Sequence, residues 1–190
     1  MINKTTDNAR TPPGHAVVAF IDCINLGVGR TLAWLTLLMV LLVALIVLMR
    51  TFFGVGSIAL QESVTYLHAT VLMLCLGYNL QQGGHVRVDV FYGRLPAVRK
   101  AWVNAVGSVV FLMPFALFLV FASISFVTKS WAIGETSADP GGLPVVYLLK
   151  TLIPLSGMLL ALQAISEIFR SLIKITWQHN TAAPENNHQL

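Results

Sequence analysis

Six polar side chains recur along one otherwise apolar segment, between residues 58 and 82. Their separations are 4, 3, 7, 4 and 3 residues, which at 3.6 residues per turn places them on one face of a helix. Such groups exchange hydrogen bonds, and an imidazole can also carry a proton or bind a metal. This set, here called the polar stripe, consists of Gln61, Thr65, His68, Cys75, Asn79 and Gln82.

The polar stripe must face protein or water, because exposing it to acyl chains is costly. Three interpretations are open at this point. The stripe packs inside a helix bundle, docks onto a second membrane protein, or lines a solute pathway. If the stripe docks onto a partner, the candidate contact residues are Gln61, His68, Asn79 and Gln82.

No pattern typical of an enzyme or of a bound cofactor accompanies the stripe. The sequence has no GxSxG, HExxH or P-loop motif and no paired carboxylates inside an apolar segment. A haem anchor needs two histidines at matching depth, and only His68 lies clearly inside an apolar segment, since His85 follows a glycine pair. Cys23 and Cys75 lack metal-binding spacing. We therefore predict no catalytic residue, cofactor or metal site in this chain.

Two pairs of opposite charges stand near the ends of apolar segments. Arg50 ends one segment and Glu62 begins the next, so an interfacial ion pair between them is expected. Glu167 and Arg170 are three residues apart, a spacing that allows pairing along a helix.

The composition indicates that lipid is the solvent for the elements that carry these residues. Of 190 residues, 56% are hydrophobic and 11% are charged, whereas a soluble domain has about 25% charged residues. The net charge of +4 comes from basic residues that flank apolar runs, which is the membrane pattern and not a nucleic-acid-binding face.

The apolar runs predict an all-α membrane domain over residues 16–177, with four transmembrane helices near 32–53, 58–82, 98–127 and 143–173. Residues 16–30 are an interfacial helix or the first turns of the first span. Pro114 and Pro154 are candidate kink sites, and Gly157 with Ala161 permits close helix approach. Residues 1–15 and 178–190 are predicted to be disordered tails in the cytoplasm.

The distribution of lysine and arginine predicts that both termini lie in the cytoplasm. Nine basic residues belong to the termini and the middle loop, and three belong to the opposite side. Cytoplasmic loops are enriched in these residues. The middle loop contains Arg87 and Asp89, and we expect Asp89 to cap a short helix there.

The loops carry a resemblance to the small membrane subunit (DctQ-like) of tripartite ATP-independent periplasmic (TRAP) transporters, over nearly the whole chain outside the tails. Its marks lie in order within four spans. They are Glu62, then Gly84-His85-Val86-Arg87-Val88-Asp89 with Leu95-Pro96, then Glu135 with Pro140-Gly141-Gly142-Leu143-Pro144.

The resemblance implies a non-catalytic subunit in the bacterial inner membrane. It would brace a large elevator-type subunit that binds sodium ions and takes up an organic acid from a periplasmic binding protein. The polar stripe would then contact the large subunit, and Glu135 and Asp139 would contact the binding protein or the large subunit. Membrane lipids are the other expected partners.

Three alternatives stay open from the sequence. They are the small subunit of a tripartite tricarboxylate transporter, a haem-bearing membrane anchor, and a self-sufficient channel or carrier.

Overall fold

The long apolar runs form helices, as lipid requires of a spanning chain. The computed structural model describes residues 15–82 and 96–181, where every regular element is helical. Four segments are long and apolar enough to cross a membrane, which confirms the predicted fold class. The elements are α1 (His15–Phe53), α2 (Ile58–Gln81), α3 (Ala97–Gly107), a π-helical turn (Ser108–Leu112), α4 (Met113–Ile133) and α5 (Val146–Thr181).

Residues 16–30 are the first turns of the same helix as the first span and do not form a separate interfacial helix. α1 runs without interruption through Gly27 and Gly29, and its 39 residues correspond to about 58 Å. Val18, Ile21 and Asn25 are buried, and α1 contacts both α2 and α5. The first half of α1 is therefore an integral part of the bundle.

The backbone of the third span departs from α-helical geometry just before Pro114. A proline inside a helix lacks an N–H donor, and its ring collides with the carbonyl four residues earlier. Here α3 gives way to a π-helical turn over Ser108–Leu112, and Pro114 then lies in the first turn of α4. The wider turn accommodates the proline ring while the span continues.

α5 is the central helix, since it contacts α1, α2, α3 and α4. Its buried positions combine small and polar side chains with leucine, including Ser156, Leu160, Gln163 and Ala164. It continues through Pro154 and ends at Thr181, beyond the predicted end near residue 173.

The predicted close approach at Gly157 is present where α4 crosses α5. A Cβ added to Gly157 would lie 2.9 Å from Val120 Cγ2 and 3.0 Å from the carbonyl oxygen of Ala116. Because these distances are shorter than ordinary van der Waals contact, only glycine allows the two helices to pack at this separation.

Charged residues lie toward the two ends of the bundle, and at one end Asp22, which meets Arg170, precedes Arg30 by eight residues, about 12 Å of helix. On α1, no charged residue lies between Arg30 and Arg50, and on α5 none lies between Lys150 and Glu167. Twenty helical residues rise about 30 Å, which is the thickness of the hydrocarbon core. We call the end with the turn 54–57 and the loop 134–145 the loop end, and the opposite end, with Arg30, Arg170 and Lys174, the basic end.

Replacing Gly157 with alanine should lower the free energy of unfolding by about 1–3 kcal/mol, the usual cost of overpacking a core. Gly107 is a matched control, because a Cβ there would meet nothing within 4 Å. Denaturant titration in detergent micelles measures both variants. Equal stability of G157A and G107A would contradict the close α4–α5 contact.

Candidate partner interface

The polar stripe lies on the surface of this bundle along the whole length of α2. Gln61, Thr65, His68 and Asn79 are exposed, as is Gln82 just past the helix end, and Cys75 is half-buried. Leu72 completes the same face and is 50% exposed. The structure therefore does not place these side chains in the four-helix core, which was one of the three interpretations of the stripe.

A groove of about 460 Å³ runs beside the outer half of the stripe, between α1 and α2. Thr65 and His68 form its polar edge. The remaining lining is aliphatic and consists of Met39, Val40, Val43 and Val64. A groove with an apolar floor and hydrogen-bonding groups on one side is suited to a helix that carries a polar side chain.

The one hydroxyl group of the stripe, that of Thr65, bonds to its own helix, whereas the larger side chains project outward. Thr65 Oγ1 donates to the carbonyl of Gln61 at 3.4 Å. An imidazole or amide that faces acyl chains has no hydrogen-bond partner on its own helix. A hydrogen bond to a neighbouring membrane helix stabilises such a group by about 0.6–2 kcal/mol. The exposed His68 and Asn79 are therefore the members that gain most from a protein partner.

At the loop end, Glu62 forms hydrogen bonds that hold the loop 134–145 against the bundle. Its carboxylate accepts a hydrogen bond from the backbone N–H of Leu143 at 2.6 Å and another from the hydroxyl of Ser137. A Cβ at Gly142 would lie 2.5 Å from Ser137 Oγ and 2.6 Å from Glu62 Oε1. Glu62, Ser137 and Leu143 form what we call the loop clasp, which holds the loop 134–145 onto the start of α2.

The predicted ion pair between Arg50 and Glu62 is not formed, because Glu62 belongs to the loop clasp. Glu62 uses both carboxylate oxygens for Ser137 and Leu143. Arg50 is exposed, and no salt bridge joins it to Glu62 in residues 15–82 and 96–181. Glu62 can form these two hydrogen bonds because the loop 134–145 folds back over the start of α2. The spacing of Arg50 and Glu62 in the sequence gives no information about this loop.

The two acidic residues of the loop have different environments. Lys150 Nζ lies 2.5 Å from Glu135 Oε2, and this hydrogen bond lowers the pKa of Glu135 below its ordinary value. The same ammonium lies 4.0 Å from the centre of the Phe126 ring. Asp139, at the loop tip, is exposed. Glu135 therefore has an internal role, and Asp139 is the better placed of the two to meet a partner.

The basic end contains a polar network that the sequence did not predict. Arg170 Nη2 donates to Asp22 Oδ2 at 2.6 Å, whereas its predicted partner Glu167 lies 3.7 Å from Nη1. Ser166 Oγ donates to Asp22 Oδ1 at 3.2 Å. The network joins the first half of α1 to α5 and also includes the 2.5 Å hydrogen bond between Asn25 and Gln163.

A signal for this network was present in the spacing of the polar residues. Asp22 and Asn25 are three residues apart on α1, and Gln163, Ser166 and Arg170 recur at three and four residues on α5. Each set lies on one helix face. The pairing of these two faces depends on the antiparallel packing of helices more than 130 residues apart.

Two further expectations concern metal sites and the middle loop. Within residues 15–82 and 96–181, no group of three or more histidine, cysteine, aspartate or glutamate residues is arranged to hold a metal ion. Arg87 and Asp89 lie outside the described residues, as does the cap predicted at Asp89.

A family model described as the DctQ component of tripartite ATP-independent periplasmic transporters matches residues 39–174. The chain belongs to the DctQ family. This confirms the resemblance, identifies the chain as a small membrane subunit of a TRAP transporter, and favours that system over the tricarboxylate alternative. As a DctQ component, it belongs to a family that works with a large membrane subunit and a substrate-binding protein.

No curated protein and no solved structure matches this DctQ chain. The family match begins at Met39 and ends at Lys174. The α5 half of the basic-end network therefore lies inside the matched range, and Asp22 and Asn25 lie before it.

Replacing Gly142 with alanine should open the loop clasp, because the added methyl group occupies the space of Ser137 and Glu62. We expect faster protease cleavage within residues 134–145 and a lower melting temperature. Gly56 is a matched control in the other loop-end turn, since a Cβ there meets nothing within 4 Å. Identical cleavage of G142A, G56A and the unaltered chain would disprove the clasp.

Proposed function

We propose that this DctQ subunit is a non-catalytic scaffold that braces the large, elevator-type subunit of its TRAP transporter. The complex performs sodium-coupled uptake of an organic acid that a periplasmic binding protein delivers. The sodium ions and the substrate bind to the large subunit, and this chain holds no cofactor of its own.

The observation that supports the proposal is the exposed polar stripe of α2. A helix that spans a membrane and turns hydrogen-bonding side chains away from its own bundle gains stability when a second membrane protein covers them. α2 is also the least apolar of the four candidate spans. The large subunit of the family is the partner of matching kind, and it contacts Gln61, His68, Asn79 and Gln82.

A brace must resist the sliding motion of the carrier that it supports. The bundle has polar contacts at both ends, with the loop clasp at one and the basic-end network at the other. Between these ends α5 packs against every other helix. Such a body moves as a unit and transmits force to the lipid through the exposed apolar faces of α1 and α4.

We place the subunit in the bacterial inner membrane with both termini in the cytoplasm. The enrichment of basic residues at one end of the bundle supports this orientation. The loop end then faces the periplasm, where Asp139 meets the binding protein or the adjoining surface of the large subunit.

The double variant His68→Leu and Asn79→Leu should lower recovery of the large subunit in a tagged pull-down from native membrane. Leucine removes the hydrogen bonds to the partner while making α2 more compatible with lipid, so the chain itself should insert normally. Loss of two such bonds predicts recovery reduced about tenfold. Mass spectrometry quantifies the large subunit relative to the tagged chain.

The matched control is Ser125→Leu with Thr128→Leu, two exposed polar residues on α4. Its recovery of the large subunit should equal that of the unaltered chain. If both double variants behave alike, the stripe is not the docking surface. Transport by the purified DctQ chain alone would instead support a self-sufficient carrier.

Asp139→Lys should slow uptake by the assembled transporter without loss of the complex, because the substitution reverses the charge at the exposed loop tip. Asp139→Asn should have a smaller effect, and Thr51→Lys, at an exposed position in the last turn of α1 at the same end of the bundle, should have none. Uptake is measured across a titration of the binding protein. An unchanged dependence on its concentration in D139K would contradict docking at Asp139.

A further inference from the structure

A groove of about 420 Å³ opens between α1 and α5 at the basic end. Val18, Ala19 and Ile173 supply apolar walls, and Asp22, Arg170 and Lys174 supply the charges. It lies on a different part of the chain from the polar stripe of α2, and neither the stripe nor the loop clasp shares a residue with it. The groove is therefore separate from the proposed partner interface.

The depth of this groove corresponds to the headgroups of one membrane leaflet. Lys150 and Glu135 lie at the loop end, and Arg170 follows Lys150 by twenty residues on the same helix. That interval rises about 30 Å, one hydrocarbon thickness. Arg170 and Lys174 consequently lie where lipid phosphates are found, and Val18, Ala19 and Ile173 lie near the level of Lys174, on the side of Arg170 that is farther from the bilayer centre.

The groove lies at the more basic end of the bundle, and its lining has two cationic side chains, Arg170 and Lys174, and one anionic side chain, Asp22. In residues 15–82 and 96–181, the basic end has five cationic and two anionic side chains, whereas the loop end has three of each. The cationic residues of the basic end are Arg30, Arg99, Lys100, Arg170 and Lys174, and its anionic residues are Asp22 and Glu167. Basic pockets between transmembrane helices attract anionic lipid headgroups, each nearby cation contributing about 1 kcal/mol.

The orientation of Arg170 is fixed by its protein partners. Asp22 binds Nη2 at 2.6 Å, and Glu167 lies 3.7 Å from Nη1. A guanidinium group has five N–H donors in a planar fork, so these two contacts leave donors for a further oxygen ligand. Lys174 is exposed one helical turn farther along the same groove.

We propose that the α1–α5 groove binds an anionic phospholipid. Lys174 and the remaining N–H groups of Arg170 hold the phosphate, and Val18, Ala19 and Ile173 contact the carbon atoms of the headgroup. The hydrogen bond from Arg170 to Asp22 joins the first half of α1 to α5. A lipid bound to Arg170 in the groove would contact both helices and strengthen the same connection.

Native mass spectrometry of the full chain in mild detergent tests the proposal, with phosphatidylglycerol as the probe. We expect phosphatidylglycerol to bind more tightly than phosphatidylcholine, and inorganic phosphate at the same concentration not to displace it. Lys174→Gln should weaken phosphatidylglycerol binding about fivefold, the loss of one cation near a lipid surface. Lys174 is the residue to change, because Arg170 also holds the network.

Lys129→Gln is the matched control, an exposed lysine near the loop end that should leave the affinity unchanged. The difference between K174Q and K129Q should shrink as ionic strength rises, because salt screens exposed charges. The proposal is overturned if K174Q and K129Q bind phosphatidylglycerol equally well. It is also overturned if phosphatidylcholine binds as tightly, or if inorganic phosphate competes for the same groove.

Discussion

The hydrocarbon core of a bilayer accepts few unpaired polar groups, and the positions of charged residues along this chain follow from that constraint. The charges of α1 and α5 lie toward the two ends of the bundle, with only uncharged residues between Arg30 and Arg50 and between Lys150 and Glu167. At these ends, Asp22 and Glu62 accept hydrogen bonds from groups 148 and 81 residues away in the chain, and Glu135 accepts one from Lys150, 15 residues away. The fold is thus a set of helices whose register is set by where their charges can be paired.

The polar stripe of α2 departs from that pattern, and its exposure is informative for this reason. Elsewhere, buried polar side chains such as Asn25 and Gln163 bond to each other. Along the stripe, the amides turn outward near the two ends of α2, and the imidazole of His68 turns outward within the span. In a protein that belongs to a family of transporter subunits, an outward polar face on a spanning helix is the surface that a second membrane protein would cover.

Much of the fold was predictable because membrane insertion makes hydropathy a strong signal. The four spans, the shared face of His68 and Asn79 and the small-residue contact at Gly157 followed from helical periodicity. The partners of Glu62 could not be predicted in this way, because Ser137 and Leu143 belong to a folded loop some 75–81 residues away in the chain. The Asp22–Arg170 bond was missed for a similar reason, since pairing two helix faces needs the topology of the bundle. A proline inside a helix can be accommodated by a kink or by a wider π-helical turn. The sequence around Pro114 did not indicate which of the two would form.

The central position of α5 has a consequence for biogenesis. The bonds from Asn25 to Gln163 and from Arg170 to Asp22 span 138 and 148 residues, and Leu143 reaches Glu62 across 81. α1 and α2 leave the ribosome long before α5, so the first hairpin enters the bilayer with Asp22 and Asn25 unpaired. A chain arrested before residue 146 would lack the helix around which the others pack. Insertion of the last span is therefore the step that converts the first hairpin and the third span into a stable subunit, and quality-control proteases would distinguish chains before this step from chains after it.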